Sequence, residues 1–198
     1  FDIQTGDTLE LGRANRRSLQ VMGTGATANP LTITGTLTPG TSSAVVLQAF
    51  NSGGSVNIPI DAGGTTYNSL DIAPLSTETY VLTANMTGGN AITGRVYINA
   101  NTTFDVTGSN FNMEVAGDWV NNNGGTFTPQ AGTVTFNGAA AQTINTGNQA
   151  FNILTLNNTG ANGSTDDLII NGTLDVNGDF NITNGDLNLA TNDPNVTT

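Results

Sequence analysis

The chain has 198 residues, four basic against fifteen acidic side chains and a formal net charge of -11 at pH 7, with neither Cys nor His. This balance argues against nucleic acid and anionic membranes as partners, because both demand basic patches. Without Cys or His, the usual zinc sites and the Ser-His or Cys-His nucleophilic pairs cannot be built.

The apolar residues point to strands. Hydrophobic residues make up only 36% of the chain and charged residues 10%, so Asn, Thr and Gly dominate it. The apolar side chains are mainly β-branched or aromatic and alternate with polar ones, a pattern that a disordered segment has no reason to adopt.

A duplication runs along the chain. Residues 35–40 (GTLTPG) match residues 125–130 (GTFTPQ), 90 positions later. Residues 67–72 recur at 151–156 and residues 96–98 at 180–182, in both cases 84 positions later. Such self-similarity predicts a repeat array, with repeat unit 1 over residues 1–103, unit 2 over 104–186 and the start of a third unit over 187–198.

The first unit is longer than the second, because the offset is 103 at Phe1 and 84 at Tyr67. The extra residues lie near 13–29 and 40–66, and we expect them to form surface loops. A longer loop costs little closure entropy, whereas an insertion into a packed strand would invert its pattern. Both ends of the sequence fall inside a repeat, which predicts an internal piece of a longer polypeptide.

Short alternating stretches predict strands of four to six residues, at 32–37, 133–136, 153–156, 173–176, 179–182 and 186–189. Several are bounded by Asn-Gly pairs, which accept positive φ at little cost. No window shows an apolar period of 3.6 residues with a cap, so we expect negligible helix.

Two all-β architectures fit this pattern. Leu174, Phe180 and Leu187 mark strands about seven residues apart, tighter than the spacing of 8–12 residues typical of sandwiches. This favours a parallel β-solenoid, a right-handed β-helix with about three short strands in each coil of roughly twenty residues and about four coils in a repeat. Tandem immunoglobulin-like β-sandwiches are the alternative, because Asn-Gly between alternating runs also signals hairpins.

Residues 128–138, 142–144, 151–158 and 172–178 resemble the repeats of very large secreted bacterial surface proteins, the adhesin-like β-strand-repeat proteins. The resemblance implies a parallel β-helix or stalk with a structural or adhesive role. We therefore expect a non-enzymatic segment of an elongated surface filament, stalk or adhesin shaft, with neighbouring repeats or copies joined end to end. A Lys-free, acidic chain rich in Asn, Thr and Gly is also typical of an extracellular or cell-surface location.

Two other classes of function stay open. One is a carbohydrate- or surface-binding module of a secreted protein, with glycans, other surface proteins or ice bound on an outward Thr ladder. The other is an enzyme that cleaves polysaccharides with paired carboxylates, for which Asp175, Asp179 and Asp186 lie near strand starts. We interpret these three as solvated corner residues and predict no catalytic residue.

Calcium is the one candidate cofactor, because it takes oxygen ligands from Asp, Asn and backbone carbonyls. Its weak candidate ligands are Asp179, Asp186 and Asp193, each close behind an Asn.

The other singled-out residues are basic or aromatic. Arg13, Arg16 and Arg17 form the basic cluster and are candidate assembly contacts, since Arg pairs bidentately with carboxylates of a neighbouring subunit or repeat. The lone tryptophan, Trp119, is interpreted as a packing residue of the core or a corner. No apolar stretch is long enough for a membrane span.

Overall fold

The computed structural model describes residues 1–11, 18–24, 30–50, 54–60, 67–121, 124–160 and 167–188, and of Thr24 and Phe50 only the backbone. Within them lie twenty short strands and a single 3-10 turn at Gly88–Asn90. The strands are β1 (Asp2–Ile3), β2 (Thr8–Glu10), β3 (Ser18–Thr24), β4 (Thr32–Ile33), β5 (Thr36–Thr38), β6 (Ala44–Phe50), β7 (Ser55–Ile58), β8 (Ser69–Ile72), β9 (Glu78–Leu82), β10 (Val96–Ile98), β11 (Thr102–Asp105), β12 (Met113–Val115), β13 (Trp119–Asn121), β14 (Thr126–Thr128), β15 (Thr133–Phe136), β16 (Gln142–Asn145), β17 (Ile153–Asn157), β18 (Leu168–Asn171), β19 (Phe180–Asn184) and β20 (Leu187–Asn188).

The strands form a parallel β-solenoid of about 6 turns. One long sheet contains eight strands in chain order, namely β3, β6, β8, β10, β13, β16, β18 and β20. The N-terminal four-stranded sheet contains β7, β9, β11 and β14, and the C-terminal four-stranded sheet contains β12, β15, β17 and β19. Two small pairs, β1 with β4 and β2 with β5, complete the described part, and all these pairings are parallel.

The turns differ in length. The separation between register partners is largest at the start, where Asp2 pairs with Thr32, and smallest at the end, where Leu168 pairs with Leu187. Interior turns of the long sheet have intermediate lengths, as from Val96 to Trp119 and from Gln142 to Leu168. Most turns are therefore longer than the predicted coil of roughly twenty residues.

The core consists of inward side chains that stack from turn to turn, because every second residue of a strand faces the interior. In the long sheet one such column contains seven residues in register, Leu19, Val45, Leu70, Val96, Trp119, Ile144 and Ile170. In the N-terminal four-stranded sheet the column Val56, Tyr80, Phe104 and Phe127 is fully or almost fully buried. The columns join into one continuous hydrophobic core along the solenoid axis.

Aromatic side chains fill the middle of this core. The Trp119 ring lies 4.8 Å from Phe127 and 5.3 Å from Phe151, both in edge arrangements. Phe104 and Phe136 join the same cluster. Trp119 is 1% exposed, which confirms its interpretation as a packing residue.

The predicted strands are largely confirmed. Residues 133–136 form β15 as predicted, and residues 153–156, 179–182 and 186–189 fall on β17, β19 and β20, with Leu189 outside the described residues. Residues 32–37 split into β4 and β5 around a bend at Thr34 and Gly35. Residues 173–176 are not a strand; Val176 makes only an isolated bridge with Phe151.

The expectation that residues near 13–29 and 40–66 form loop insertions is wrong in three segments. Residues 18–24, 44–50 and 55–58 are strands β3, β6 and β7. Val21, Leu47 and Val56 point inward and are buried, so these segments extend the sheets by strands of their own. Whole strands are tolerated here because each finds a ladder partner in the neighbouring turn.

The sequence repeat does not coincide with a whole number of turns. Leu70 and Leu154, which correspond in the repeat, lie in the long sheet and in the C-terminal four-stranded sheet respectively. Three turns lead from Leu70 to Ile144, and Leu154 follows on the next strand, β17. The division into units at 1–103, 104–186 and 187–198 stays a prediction about the sequence, distinct from the turns.

Candidate functional site

The outer surface of the long sheet carries an ion pair between neighbouring turns, from Arg95 just before β10 to Asp71 on β8. Arg95 contacts the carboxylate of Asp71 through two nitrogens, at 2.9 and 3.3 Å. The guanidinium also lies 5.0 Å from the ring centroid of Tyr97, in cation–π geometry. The Arg95 side chain is 33% exposed and that of Asp71 14%, so solvent screens the pair and its contribution to stability is modest.

The outer surface of the N-terminal four-stranded sheet carries a column of hydroxyl groups. Ser55, Thr79, Thr103 and Thr126 are successive register partners on β7, β9, β11 and β14. Neighbouring hydroxyls in such a column are about 4.8 Å apart, and each can donate and accept. We call these four residues the hydroxyl column.

The next outward column of the N-terminal four-stranded sheet contains side chains of different types. Asn57, Val81, Asp105 and Thr128 are in register there. The Asp105 carboxylate accepts hydrogen bonds from the Thr107 backbone N–H and the Gln130 amide. The regular array of hydroxyls is therefore one residue wide.

Asparagine side chains join the turns at the corner before the C-terminal four-stranded sheet. The side-chain oxygen of Asn85 accepts the backbone N–H of Asn112 at 2.8 Å, and that of Asn112 accepts the N–H of Thr133 at 2.8 Å. These side chains thus accept hydrogen bonds from backbone N–H groups of the next turn that have no partner in the hydrogen bonding between strands.

A second corner, between that sheet and the long sheet, encloses fully buried polar side chains. The Gln142 amide donates to the carbonyls of Val115 and Gly117 and accepts the N–H of Gly138. Asn158 donates to the oxygen of Gln142 at 3.1 Å and to the carbonyl of Ala140. Sequence analysis missed both residues, although Gln142 occupies an inward position that in the next two turns holds leucines.

The same corner depends on glycine in earlier turns. A Cβ atom on Gly117 would lie 2.5 Å from the backbone of Gly94, and one on Gly94 would lie 2.5 Å from the carbonyl oxygen of Asn68. A side chain at either position would force two turns apart.

Two buried tyrosines connect the core to the backbone. The Tyr80 hydroxyl accepts the N–H of Ala49 at 2.7 Å and donates to the carbonyl of Leu47, and the Tyr67 hydroxyl donates to Pro59 at 2.6 Å. Burial raises the pKa of Tyr80 to about 12 and the pKa of Tyr67 further still. Both are therefore neutral structural residues at physiological pH.

The acidic residues singled out by the sequence lie at different corners of the last described turn. Asp175 precedes the bridge residue Val176, Asp179 precedes β19 and Asp186 precedes β20. Their backbone carbonyls accept N–H groups of the preceding turn, from Phe151, Leu154 and Leu168 respectively. Within the described ranges no three His, Cys, Asp or Glu side chains form a group that could hold a metal ion.

Four predicted site residues lie outside the described residues: Arg13, Arg16, Arg17 and Asp193. Their roles as assembly contacts and as a calcium ligand stay predictions. In the part of the chain that the structure describes, no helix is long and apolar enough to cross a membrane.

Shallow grooves open between the turns. One of about 340 Å³ is lined by Pro39, Gly40, Thr41, Asn68 and Thr93, and one of about 190 Å³ by Leu31, Thr32, Ile33, Asn57, Pro59, Ile60 and Thr83. Neither lining contains an ionisable side chain, so these grooves offer hydrogen bonding and apolar contact rather than acid–base chemistry.

Comparisons with family models, with curated proteins and with solved structures found no match to the chain.

Proposed function

We propose that the chain is an extracellular structural protein, a segment of an elongated surface filament, stalk or adhesin shaft. The observation that carries the proposal is the long sheet, in which eight strands pair in chain order without a change of direction. The described chain is thus a stack of turns rather than a shell around a pocket.

Rigidity follows from how the turns are joined. Between residues 96 and 128, neighbouring turns pair through the long sheet and through the N-terminal four-stranded sheet. The corner asparagines add side-chain bonds to the next turn. Bending such a stack would stretch the hydrogen bonds of one sheet while compressing the packed core on the other side, which is the property that a shaft needs.

The outer surface supports an extracellular role in a second way. The exposed residues of the described part are mainly Thr, Asn and Gly, and the net charge of -11 keeps the stack soluble through mutual repulsion. Hydroxyl and amide groups hydrogen-bond with water, so a stack with this surface can stand in bulk solvent along its length.

Localisation tests this proposal directly. Antibodies against the purified chain would be applied to intact and to permeabilised cells of the source organism and imaged by immunogold electron microscopy. We expect labelling of intact cells along thin surface fibres. Labelling that appears only after permeabilisation would refute the extracellular role.

The hydroxyl column favours a second candidate function, a carbohydrate- or surface-binding module. Four uncharged hydroxyl groups at a constant spacing match an extended ligand that repeats along the solenoid axis, such as a polysaccharide chain. Co-sedimentation with insoluble polysaccharides tests it, with the double variant Thr79→Val and Thr103→Val against the control Thr135→Val on the C-terminal four-stranded sheet. Equal sedimentation of the two variants, or none by the unmodified chain, would exclude the column as a binding site.

End-to-end contact between copies or repeats is part of the proposed function, and the cluster of Arg13, Arg16 and Arg17 is its candidate contact. Replacing all three by Gln removes the bidentate pairing with carboxylates. We expect lower apparent mass in light scattering at high protein concentration. The same apparent mass for the triple variant and the unmodified chain would exclude the cluster as an assembly contact.

A further inference from the structure

Four Asn-Gly pairs lie within the described residues, and their glycine nitrogens differ in hydrogen bonding. The pairs are Asn137-Gly138, Asn171-Gly172, Asn177-Gly178 and Asn184-Gly185. An asparagine followed by glycine can lose its side-chain amide spontaneously, because glycine has no side chain to hinder its backbone nitrogen. Whether that nitrogen is free to react depends on the structure around it.

In two of the pairs the glycine N–H is engaged. Gly138 is buried and donates to the side-chain oxygen of Gln142 at 2.9 Å. Gly178 donates to the backbone carbonyl of Asn152 at 2.8 Å. The nitrogen must leave its acceptor before it can react, so conversion at these sites requires the corner to open first.

In the other two pairs the glycine N–H meets no acceptor among the described residues. Gly172 and Gly185 have φ angles of +95° and +103° and follow directly after β18 and β19. Asn171 and Gly172 are exposed, and Asn184 and Gly185 are half-buried.

We propose that Asn171 and Asn184 are sites of spontaneous deamidation and that Asn137 and Asn177 are protected from it. In the reaction the glycine nitrogen, losing its proton, attacks the side-chain carbonyl carbon of the asparagine. A C–N bond forms within a five-membered succinimide, and the side-chain amide leaves as ammonia. Water then opens the ring at either carbonyl, giving aspartate or isoaspartate, with no change of oxidation state.

The pairs at 171 and 177 form a matched comparison within one turn. Asn171, Gly172, Asn177 and Gly178 are all exposed, so access of water does not distinguish the two sites. They differ in the hydrogen bond that Gly178 makes to Asn152. The φ angle of +95° at Gly172 is a second difference, because Gly178 is not in the left-handed region. A difference in rate between the two sites therefore reports on the backbone around the glycine rather than on exposure.

The products would change the last described turn. Each conversion adds a negative charge to a chain that already carries -11. At Asn184 the isoaspartyl product also lengthens the backbone between β19 and β20 by one carbon. This segment lies next to the buried Asp167, whose Oδ2 would be 3.3 Å from a Cβ atom placed on Gly185. We expect the pairing of β20 with β18 to weaken as the protein ages.

The test incubates the folded protein in water labelled with heavy oxygen at mildly alkaline pH and quantifies each site by peptide mass spectrometry. A parallel incubation in denaturant supplies the intrinsic rate of every Asn-Gly pair. We expect Asn171 and Asn184 to convert at close to their unfolded rates. Asn137 and Asn177 should convert at least about tenfold more slowly when folded, because a local opening must precede the reaction.

Two results would overturn the proposal: folded-to-unfolded rate ratios that are equal at all four sites, or ratios at 171 and 184 as low as that at 177. The variant Asn171→Gln assigns the signal, since its longer side chain disfavours the five-membered ring. It should abolish label uptake at that position and leave the other three rates unchanged.

Discussion

A single glycine decides how closely two turns approach at the corner before the long sheet. The Cβ position of Gly117 lies 2.5 Å from backbone atoms of Gly94, and backbone cannot move aside as a flexible side chain would. At Gly108, on another corner, the Cβ position has no atom within 4 Å. Both residues are glycines, but only Gly117 is crowded by backbone atoms. Alanine substitutions at the two positions therefore separate the effect of steric crowding from the effect of reduced chain flexibility.

We expect Gly117→Ala to lower the free energy of unfolding by about 1–3 kcal/mol, the usual effect of overpacking. Gly108→Ala should leave it unchanged within about 0.5 kcal/mol, as surface substitutions do. Urea unfolding followed by circular dichroism measures both. Equal effects of the two substitutions would show that the corner adapts to a side chain.

The buried tyrosines predict how stability depends on pH. Since the chain has neither Lys nor Cys, tyrosines are its main ionising side chains between pH 9 and 12. The pKa of Tyr80 is raised to about 12 in the folded state against about 10 in the unfolded chain, and that of Tyr67 is raised as well. Above pH 10 the unfolded state therefore binds fewer protons than the folded state.

The stability from these two hydroxyls is consequently complete below pH 10 and is lost as the pH rises toward 12. Each tyrosine should contribute a slope of about -1.4 kcal/mol per pH unit in that window. Urea unfolding at a series of pH values measures the slope, and Tyr67→Phe should make it shallower. A free energy of unfolding that stays constant from pH 9 to 11.5 would contradict the assignment.

At the scale of elements, alternation in the sequence identifies which residues face inward but not which sheet they join. Residues 133–136 form a strand as predicted because Val134 and Phe136 alternate with threonines. Residues 18–24 form a strand where a loop is expected, because the repeat comparison treats them as inserted. Their sheet depends on the length of the turn before them, which local pattern does not contain.

The polar corner around Gln142 could be recognised only from the structure. In sequence Gln142 is a polar residue ahead of the apolar Ile144, and nothing local shows that it lies in register with Leu168. The Gln142 amide donates to backbone groups of the preceding turn, the carbonyls of Val115 and Gly117. These groups lie about one turn away in the chain.

We expect Gln142→Ala to lower the free energy of unfolding by roughly 3 kcal/mol, because it leaves the buried N–H of Gly138 and the half-buried carbonyl of Gly117 without a partner. Thr143→Ala, on the outer surface of the same strand, should change it by less than about 0.5 kcal/mol. Thermal and urea unfolding of the two variants measure the difference. A small effect of Gln142→Ala would mean that water replaces the amide in this corner.

At the scale of the whole molecule, stability is a sum over neighbouring turns. Each turn contacts mainly the turns before and after it, so opening can proceed from turn to turn rather than all at once. Strands in the middle of the long sheet have partners on both sides, whereas β20, among the residues that the structure describes, pairs with β18 alone.

Hydrogen exchange should therefore show a gradient along the chain. We expect the slowest amides in β8, β10 and β13, around the aromatic cluster, and exchange at least about tenfold faster in β20, because fewer interactions hold it. Exchange detected by mass spectrometry on short peptides resolves the strands. Equal protection from β8 to β20 would indicate a single cooperative unit.

The strands of the long sheet are all parallel and follow one another in chain order, which affects how such a chain can evolve. Because Leu70, Val96 and Trp119 are register partners, removal of residues 96–118 would bring Trp119 onto Leu70 with every later pairing intact. A deletion or duplication of one complete turn thus preserves the ladder of the long sheet, whereas a deletion of one residue reverses the faces of the strand that holds it. Unequal recombination within the gene can therefore lengthen or shorten the solenoid in steps of a turn, so that its length evolves independently of its cross-section.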